Sequence, residues 1–151
     1  MEIDIRLATF EDSEFIFQLR NHDSVIKNSI SGNKIDRTEH EKWLQSSFSK
    51  KDFYIFIAIL DEIRVGVCRF NPSSNQNTSE ISIMLKPELT GRGIGFTFLS
   101  KCIEFFKEKN ENRLLARILV SNIASQKLFE KCGFKKVKEQ DTYMEYLLEK
   151  N

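Results

Sequence analysis

Thr90-Gly91-Arg92-Gly93-Ile94-Gly95 separates two stretches of different hydrophobic period. Before it, Glu80-Ile81-Ser82-Ile83-Met84-Leu85 alternates as a strand does. After it, Ile94, Phe98 and Cys102 recur every four residues, as do Leu99 and Ile103, with Phe106 close behind on that face. Phe96 to Asn110 therefore reads as an amphipathic helix, and the order is strand, Gly-rich loop, helix. Glycines at 91, 93 and 95 let the backbone turn tightly and leave the helix entrance free of side chains. The unpaired N–H groups and positive dipole end of a helix start suit an anion, and Arg92 adds a full charge. The stretch reads as a phosphate cradle, against the plainer reading of a turn that joins two elements. It is not a P-loop, because Phe96-Thr97 stands where Lys and Ser/Thr would follow the last glycine. Nor does a second parallel strand with an acidic residue ~20 positions on complete a dinucleotide fingerprint.

The chain has 151 residues, enough for one domain over 1–151 with a core that needs no disulfide or metal staple. Hydrophobic residues make up 40% and charged residues 30%, and 13 phenylalanines supply much of the apolar volume. A net charge of +1 implies no bulk attraction to nucleic acid or membrane, so an anion site must come from local placement. Cys68, Cys102 and Cys132 lie far apart in apolar patterns and read as buried thiols of a reducing cytoplasm. His22 and His40 lack metal-ligand spacing, so no metal is expected. Met1 to Arg6 is too charged for a signal peptide, and no apolar run approaches the ~18 residues of a membrane span. The expected location is cytoplasmic.

Ile3, Ile5 and Leu7 open the chain as a strand. Thr9 to Asp12 forms a capping box for a helix with Phe15, Ile16 and Leu19 on one face, ending near Asn21. Residues 22–36 read as a loop with room for a helical turn. Thr38 to Glu41 is a second capping-box match, ahead of a helix striped by Trp43, Leu44 and Phe48. Phe53–Leu60 and Ile63–Phe70 make a hairpin about Asp61-Glu62, and residues 71–77 make a polar loop. After the long helix come a strand at Leu114–Val120 and a helix capped by Ser121 or Asn122 and closed at Gly133. Phe134 is expected to fold back on Phe129, and a final hairpin includes Val137 and Thr142–Leu148. The order is β-α-α-β-β-β-α-β-α-β-β, an α/β fold with a mixed central sheet flanked by helices.

The Gly loop, together with Asn122-Ile-Ala-Ser125 and Phe129-Glu-Lys-Cys-Gly-Phe134, resembles the GCN5-related N-acetyltransferase (GNAT) superfamily. That family writes its acetyl-CoA motif Gln/Arg-x-x-Gly-x-Gly/Ala, followed by Asn-x-x-Ala/Ser and Tyr-x-x-x-Gly-Phe. Thr90 departs at the Gln/Arg position, and Phe129 departs where the family often has Tyr. The resemblance implies an acetyl-CoA-dependent N-acetyltransferase. Gly91, Arg92, Gly93, Ile94 and Gly95 would hold the pyrophosphate. The backbone of Met84, Leu85 and Lys86 would meet the pantetheine where the strand splays from its neighbour. Asn122 would bond the pantetheine arm, unless its side chain serves as a helix cap. Ser125 and Phe129 would complete the cofactor side.

The same resemblance makes the Leu85 N–H the oxyanion donor and Glu80 the general base, on one face with Ser82 and Met84. The alternative for Glu80 is an ordinary strand-end carboxylate. Phe129 cannot protonate the leaving sulfur, which leaves Tyr143, Ser125 or water. The acceptor would be a small-molecule primary amine. The N-terminal half looks like acetyltransferases of nucleotide-linked amino sugars, such as those of pseudaminic- or legionaminic-type pathways, on Leu19-Arg20-Asn21, Ser24-Val25-Ile26 and Glu39 to Trp43. Arg20, Asn21, Ser24 and Trp43 would then bind substrate, against the alternative of a solvated loop beside a core tryptophan. The competing functions are a ribosomal-protein-type N-terminal acetyltransferase and a non-catalytic CoA-binding domain. A homodimer is compatible with either.

Overall fold

The computed structural model describes residues 2–74 and 77–149. Its strands are β1 (Asp4–Leu7), β2 (Tyr54–Leu60), β3 (Ile63–Pro72), β4 (Thr78–Leu85), β5 (Arg113–Leu119), β6 (Lys135–Glu139) and β7 (Tyr143–Leu148). Its helices are α1 (Ser13–Arg20), α2 (Asp23–Lys27), α3 (Arg37–Phe48), α4 (Ile94–Lys109) and α5 (Ile123–Lys131). The strands form one sheet in the order β1-β2-β3-β4-β5-β7-β6. All pairs are antiparallel except β4–β5. This is the mixed α/β architecture expected, with the helical turn of 22–36 realised as α2.

Tyr54 to Leu60 is almost wholly apolar because both faces of β2 are covered. Phe56, Ala58 and Leu60 join a large cluster with Phe98, Leu99, Cys102 and Phe106 of α4. Ile55 and Ile57 join a second cluster with Ile16 and Leu19 of α1 and Leu44 of α3. Phe70 and Phe106 stack 4.6 Å apart at the centre of the first. The sheet thus has an α4–α5 face and an α1–α3 face, and alternation assigns every strand residue to one of them.

Local chemistry sets the boundaries. The Thr9–Asp12 capping box is present and opens a 3-10 turn that leads into α1. The expected box at Thr38 is corrected: Asp36 caps α3, its carboxylate accepting from the Glu39 N–H at 2.8 Å. Asp ranks above Thr as a cap, and Asp36-x-x-Glu39 competes with Thr38-x-x-Glu41 two residues away. β3 runs past Phe70, because Asn71 and Pro72 still pair with Glu80 and Ser79. Of the polar loop expected over 71–77, residues 75 and 76 lie outside the described residues. At the end of α5, Phe134 N–H donates to Phe129 C=O and Gly133 N–H to Glu130 C=O, both at 3.0 Å. With Gly133 at φ 98°, this is the expected Schellman closure, and the two phenylalanine rings meet edge-on at 5.0 Å.

Candidate active site

The Gly loop leaves the C-terminal end of β4 through a 3-10 turn at Pro87–Leu89 and enters α4. Gly91 and Gly93 have φ of 79° and 78°, a region that side chains rarely adopt, and a Cβ at either would meet nothing within 4 Å. Gly93 is the N-cap of α4, no side chain caps the helix, and no acid lies in its first turn. Gly91, Arg92 and Gly93 are exposed. An open, uncapped helix start beside a cation fits a phosphate group. Gly95 answers to a different constraint. A Cβ there would lie 3.2 Å from Leu85 Cδ1 and 3.4 Å from Leu128 Cδ2, so its absence lets α4 seat between β4 and α5.

Beside the loop the sheet opens. β4 and β5 pair in parallel at Thr78↔Arg113, Ser79↔Leu114 and Glu80↔Leu115 and then part, although β4 continues to Leu85 and β5 to Leu119. On its other edge β4 stays paired with β3 through Leu85↔Gly66, and Lys86 N–H donates to Val65 C=O at 2.9 Å. Antiparallel alternation then turns the N–H groups of Met84 and Lys86 toward β3, and those of Ile83 and Leu85 toward the gap. Of the three backbone positions expected to line it, Leu85 does so through its amide, while Ile83 joins it in place of Met84 and Lys86.

Asn122 caps α5, its side-chain oxygen accepting from the Ser125 N–H at 3.2 Å. Its amide nitrogen is the part left to meet another group. Phe129 is 2% exposed and belongs to the core cluster with Phe134, so it borders the site from within.

On the α1–α3 face, a polar row crosses the sheet at the root of the gap. Glu80 takes a two-pronged ion pair from Arg117 of β5, at 2.8 and 3.1 Å. The hydrogen bonds to Glu80 hold the Arg117 guanidinium above its usual range against partial desolvation, with further help from Glu80's charge, Tyr143 and Glu145. Tyr143 begins β7 opposite Leu119 and shares the Arg117 side of the sheet. Arg69 of β3 donates from Nε to the Ser82 hydroxyl at 2.8 Å. Burial lowers its pKa, which the Glu80 charge opposes and Arg117 reinforces.

Trp43 of α3 lies over this row. Arg20 stacks on its indole at 4.4 Å from the ring centre and Arg69 at 5.4 Å. Behind them His40 is 1% exposed. His40 Nε2 contacts the Ser13 carbonyl at 3.0 Å, and Nδ1 lies 3.5 Å from an Arg20 nitrogen. Burial lowers the His40 pKa, so the ring is neutral, with Nε2–H donating to Ser13 and Nδ1 accepting from Arg20. Asn21, an expected substrate ligand, is occupied: its amide donates to Ile35 C=O at 2.8 Å and accepts from Ile35 N–H at 2.9 Å, pinning the 22–36 segment. Ser24 bonds His22 at the start of α2.

Arg69 and Arg117 are the residues of this row that sequence reasoning passed over, while Ser82 was placed on the Glu80 face without a partner. The available signal was a charge inside an apolar strand, in Val-Gly-Val-Cys-Arg69-Phe and in Leu-Leu-Ala-Arg117-Ile-Leu. Such a charge demands a partner across the sheet. Among the described residues, no group of three or more His, Cys, Asp or Glu could hold a metal ion.

A mixed sheet split at its parallel pair, with a glycine-opened helix start at the split, defines an acetyltransferase fold. The acetyltransferase (GNAT) domain family matches residues 3–135, and the chain belongs to that family. Uncharacterized protein MJ1062 of Methanocaldococcus jannaschii is 32% identical over 91% of this chain, and the match spans 29% of that relative. A Bacillus subtilis relative named as a ribosomal protein bS18-alanine N-acetyltransferase is 38% identical over 52 residues, 34% of each chain. The chain thus spans about a third of the length of the curated relatives it matches. Among solved structures, a domain from M. jannaschii DSM 2661 superposes with a TM-score of 0.85 at 28% identity, covering 97% of both chains. An N-acetyltransferase from Staphylococcus aureus Mu50 superposes with a TM-score of 0.83 at 25% identity, covering 99% of both.

Proposed function

We propose that this chain moves the acetyl group of acetyl-CoA directly to a primary amine of a small molecule. One observation carries the reading: β4 parts from β5 at the same end of the sheet where the uncapped start of α4 presents its glycine loop. Gly91 to Gly95 with Arg92 would hold the pyrophosphate, and the amides of Ile83 and Leu85 and the Asn122 side chain would align the pantetheine arm. Acetyl-CoA supplies the activated carbonyl. The Leu85 N–H would steady the oxyanion. Glu80 is the proposed base. Its pair with Arg117 fixes its orientation, and it would take the ammonium proton directly or through water. Phe129 offers no acid, so Tyr143, Ser125 or solvent would meet the thiolate. A thiol with a pKa of ~8.5 leaves tolerably without one.

The acceptor is best read as an amino sugar, free or nucleotide-linked. The Trp43 face offers an aromatic platform beside Arg20, Arg69 and Ser82, the mixture of flat apolar and oriented polar surface that a sugar ring uses. The test is an acetylation assay with amino sugars, their nucleotide conjugates and short N-terminal peptides side by side. Turnover of amino sugars with little on peptides supports the reading. Turnover of peptides alone would replace it with the ribosomal-protein-type activity, which the 52-residue match to the B. subtilis relative favours. CoA binding without thioester cleavage on any amine would make the chain a binding domain.

A further inference from the structure

Arg20 and Arg69 stack on the indole of Trp43, at 4.4 and 5.4 Å. Both are partly buried. Among the described residues neither makes an ion pair: Arg20 has the neutral His40 for a neighbour, and Arg69 has the Ser82 hydroxyl. Glu80, close enough to influence Arg69, is committed to Arg117 through both oxygens. The two guanidinium groups also repel each other. Burial and the Arg69 charge together push the Arg20 pKa down to about 10.

Arginine keeps its charge in proteins, so desolvating two side by side with no ion pair to either costs stability, which the Trp43 ring, the Ser82 hydroxyl and the Glu80 charge set off only in part. The arrangement elsewhere in this chain is the opposite. Arg6 and Arg64 share Asp12, and Arg37 holds Glu14. Arg37 also lies over a ring, that of Phe17, but keeps its acid, whereas Arg20 and Arg69 share one ring and have no ion pair among the described residues.

We propose that Arg20 and Arg69, both held against Trp43, clamp an anionic group of the acceptor, a carboxylate or a phosphate. This rests on the acetyltransferase reading and narrows its substrate class. The position of the clamp sets a further limit. Arg69 is anchored at Ser82, and Leu85 lies three residue steps further along the strand, roughly 10 Å at ordinary strand rise. The acceptor therefore carries its anion several bonds from its amine, as an amino-sugar phosphate, nucleotide or uronate does and an α-amino acid does not.

The test compares four amines in steady-state acetylation: 6-aminohexyl phosphate, 6-aminohexanoate, hexylamine and glycine. At least one of the long anionic amines should exceed hexylamine by ~10-fold or more in kcat/KM, the worth of a charge-assisted hydrogen bond, and should exceed glycine as well. Whichever of the two leads identifies the anion as phosphate or carboxylate. R20Q and R69Q should each collapse that preference through KM. R69K, which keeps a charge but loses the planar fork, should lower it at least ~5-fold and serves if a glutamine variant folds poorly. Equal kcat/KM for charged and neutral amines, a preference for glycine, or a preference that survives both glutamine substitutions overturns the proposal. Calorimetry separates the two claims. Loss of the transferase reading would show as no acetyl-CoA binding by the wild-type protein, or as binding with no thioester cleavage on any amine. The clamp is read independently as tighter binding of 6-aminohexyl phosphate or 6-aminohexanoate than of hexylamine, abolished in R69Q, and equal binding of all three would sink it there too.

Discussion

Glu80 shows how one residue can satisfy two demands. Its carboxylate ties β4 to β5 through Arg117 at the point where the strands part, and it faces the side on which the acceptor would lie. If it is the base, Glu80→Gln should lower kcat/KM by about 100-fold near neutral pH, with less loss at high pH, where the free amine is already unprotonated. A pH–rate profile unchanged from wild type would leave Glu80 a purely structural tie. Gly95 makes a different point. Its need is steric, so Gly95→Ala should cost about 1 kcal/mol in urea unfolding as Leu85 and Leu128 give way. Gly93→Ala forces a side chain into left-handed backbone with open space around it, and should cost a similar amount through strain alone. The motif is visible in the sequence, but the separate reasons for its glycines depend on Leu85 and Leu128, which only the fold brings together.

At the scale of elements, helices and strands announce themselves by period, and their ends by local chemistry. The four-residue recurrence from Ile94 to Phe106 is α4, and the alternation from Ile81 to Leu85 is β4. Where two caps compete, pattern alone does not decide, as Asp36 and Thr38 show. Asp36→Ala should destabilise the protein by about 1 kcal/mol, whereas Thr38→Ala should change it by a few tenths. Chemical denaturation of both variants checks the assignment, and the reverse ranking would restore Thr38 as the cap. The polar row was hidden for a related reason. Arg69 meets Ser82 13 positions on, and Arg117 meets Glu80 37 positions back, so each pairing exists only once the strand order and register are known.

At the scale of the whole molecule, Asp12 ties the opening strand to the rest of the sheet. Its side chain is fully buried, receives Arg6 and Arg64 at 2.7 and 2.8 Å, and accepts from the Thr9 N–H at 2.8 Å. Burial alone would raise its pKa. The Arg6 and Thr9 hydrogen bonds and the two arginine charges outweigh that and hold it below the ordinary carboxylate range. A depressed folded pKa gives stability that is complete above the unfolded value near ~3.9 and is lost as pH falls through the folded one. Wild-type stability should therefore drop below about pH 4, and Asp12→Asn should flatten that part of the profile. At neutral pH the variant should lose about 2 kcal/mol. A larger loss is not expected, because Arg6 and Arg64 are 42% and 41% exposed and can re-solvate. An acid limb equally steep in both proteins would show that other carboxylates govern it.

The central claim is that the opening between β4 and β5 receives the pantetheine arm of acetyl-CoA. Residue-resolved amide hydrogen exchange, with and without acetyl-CoA, tests it most directly. In the free protein the N–H groups of Met84 and Lys86 should be protected by β3, and those of Ile83 and Leu85 should exchange faster. Adding acetyl-CoA should slow Ile83 and Leu85, together with the first amides of α4 at Ile94 to Phe96, and leave Met84 little changed. Exchange at Ile83 and Leu85 that does not respond to saturating acetyl-CoA would contradict the account.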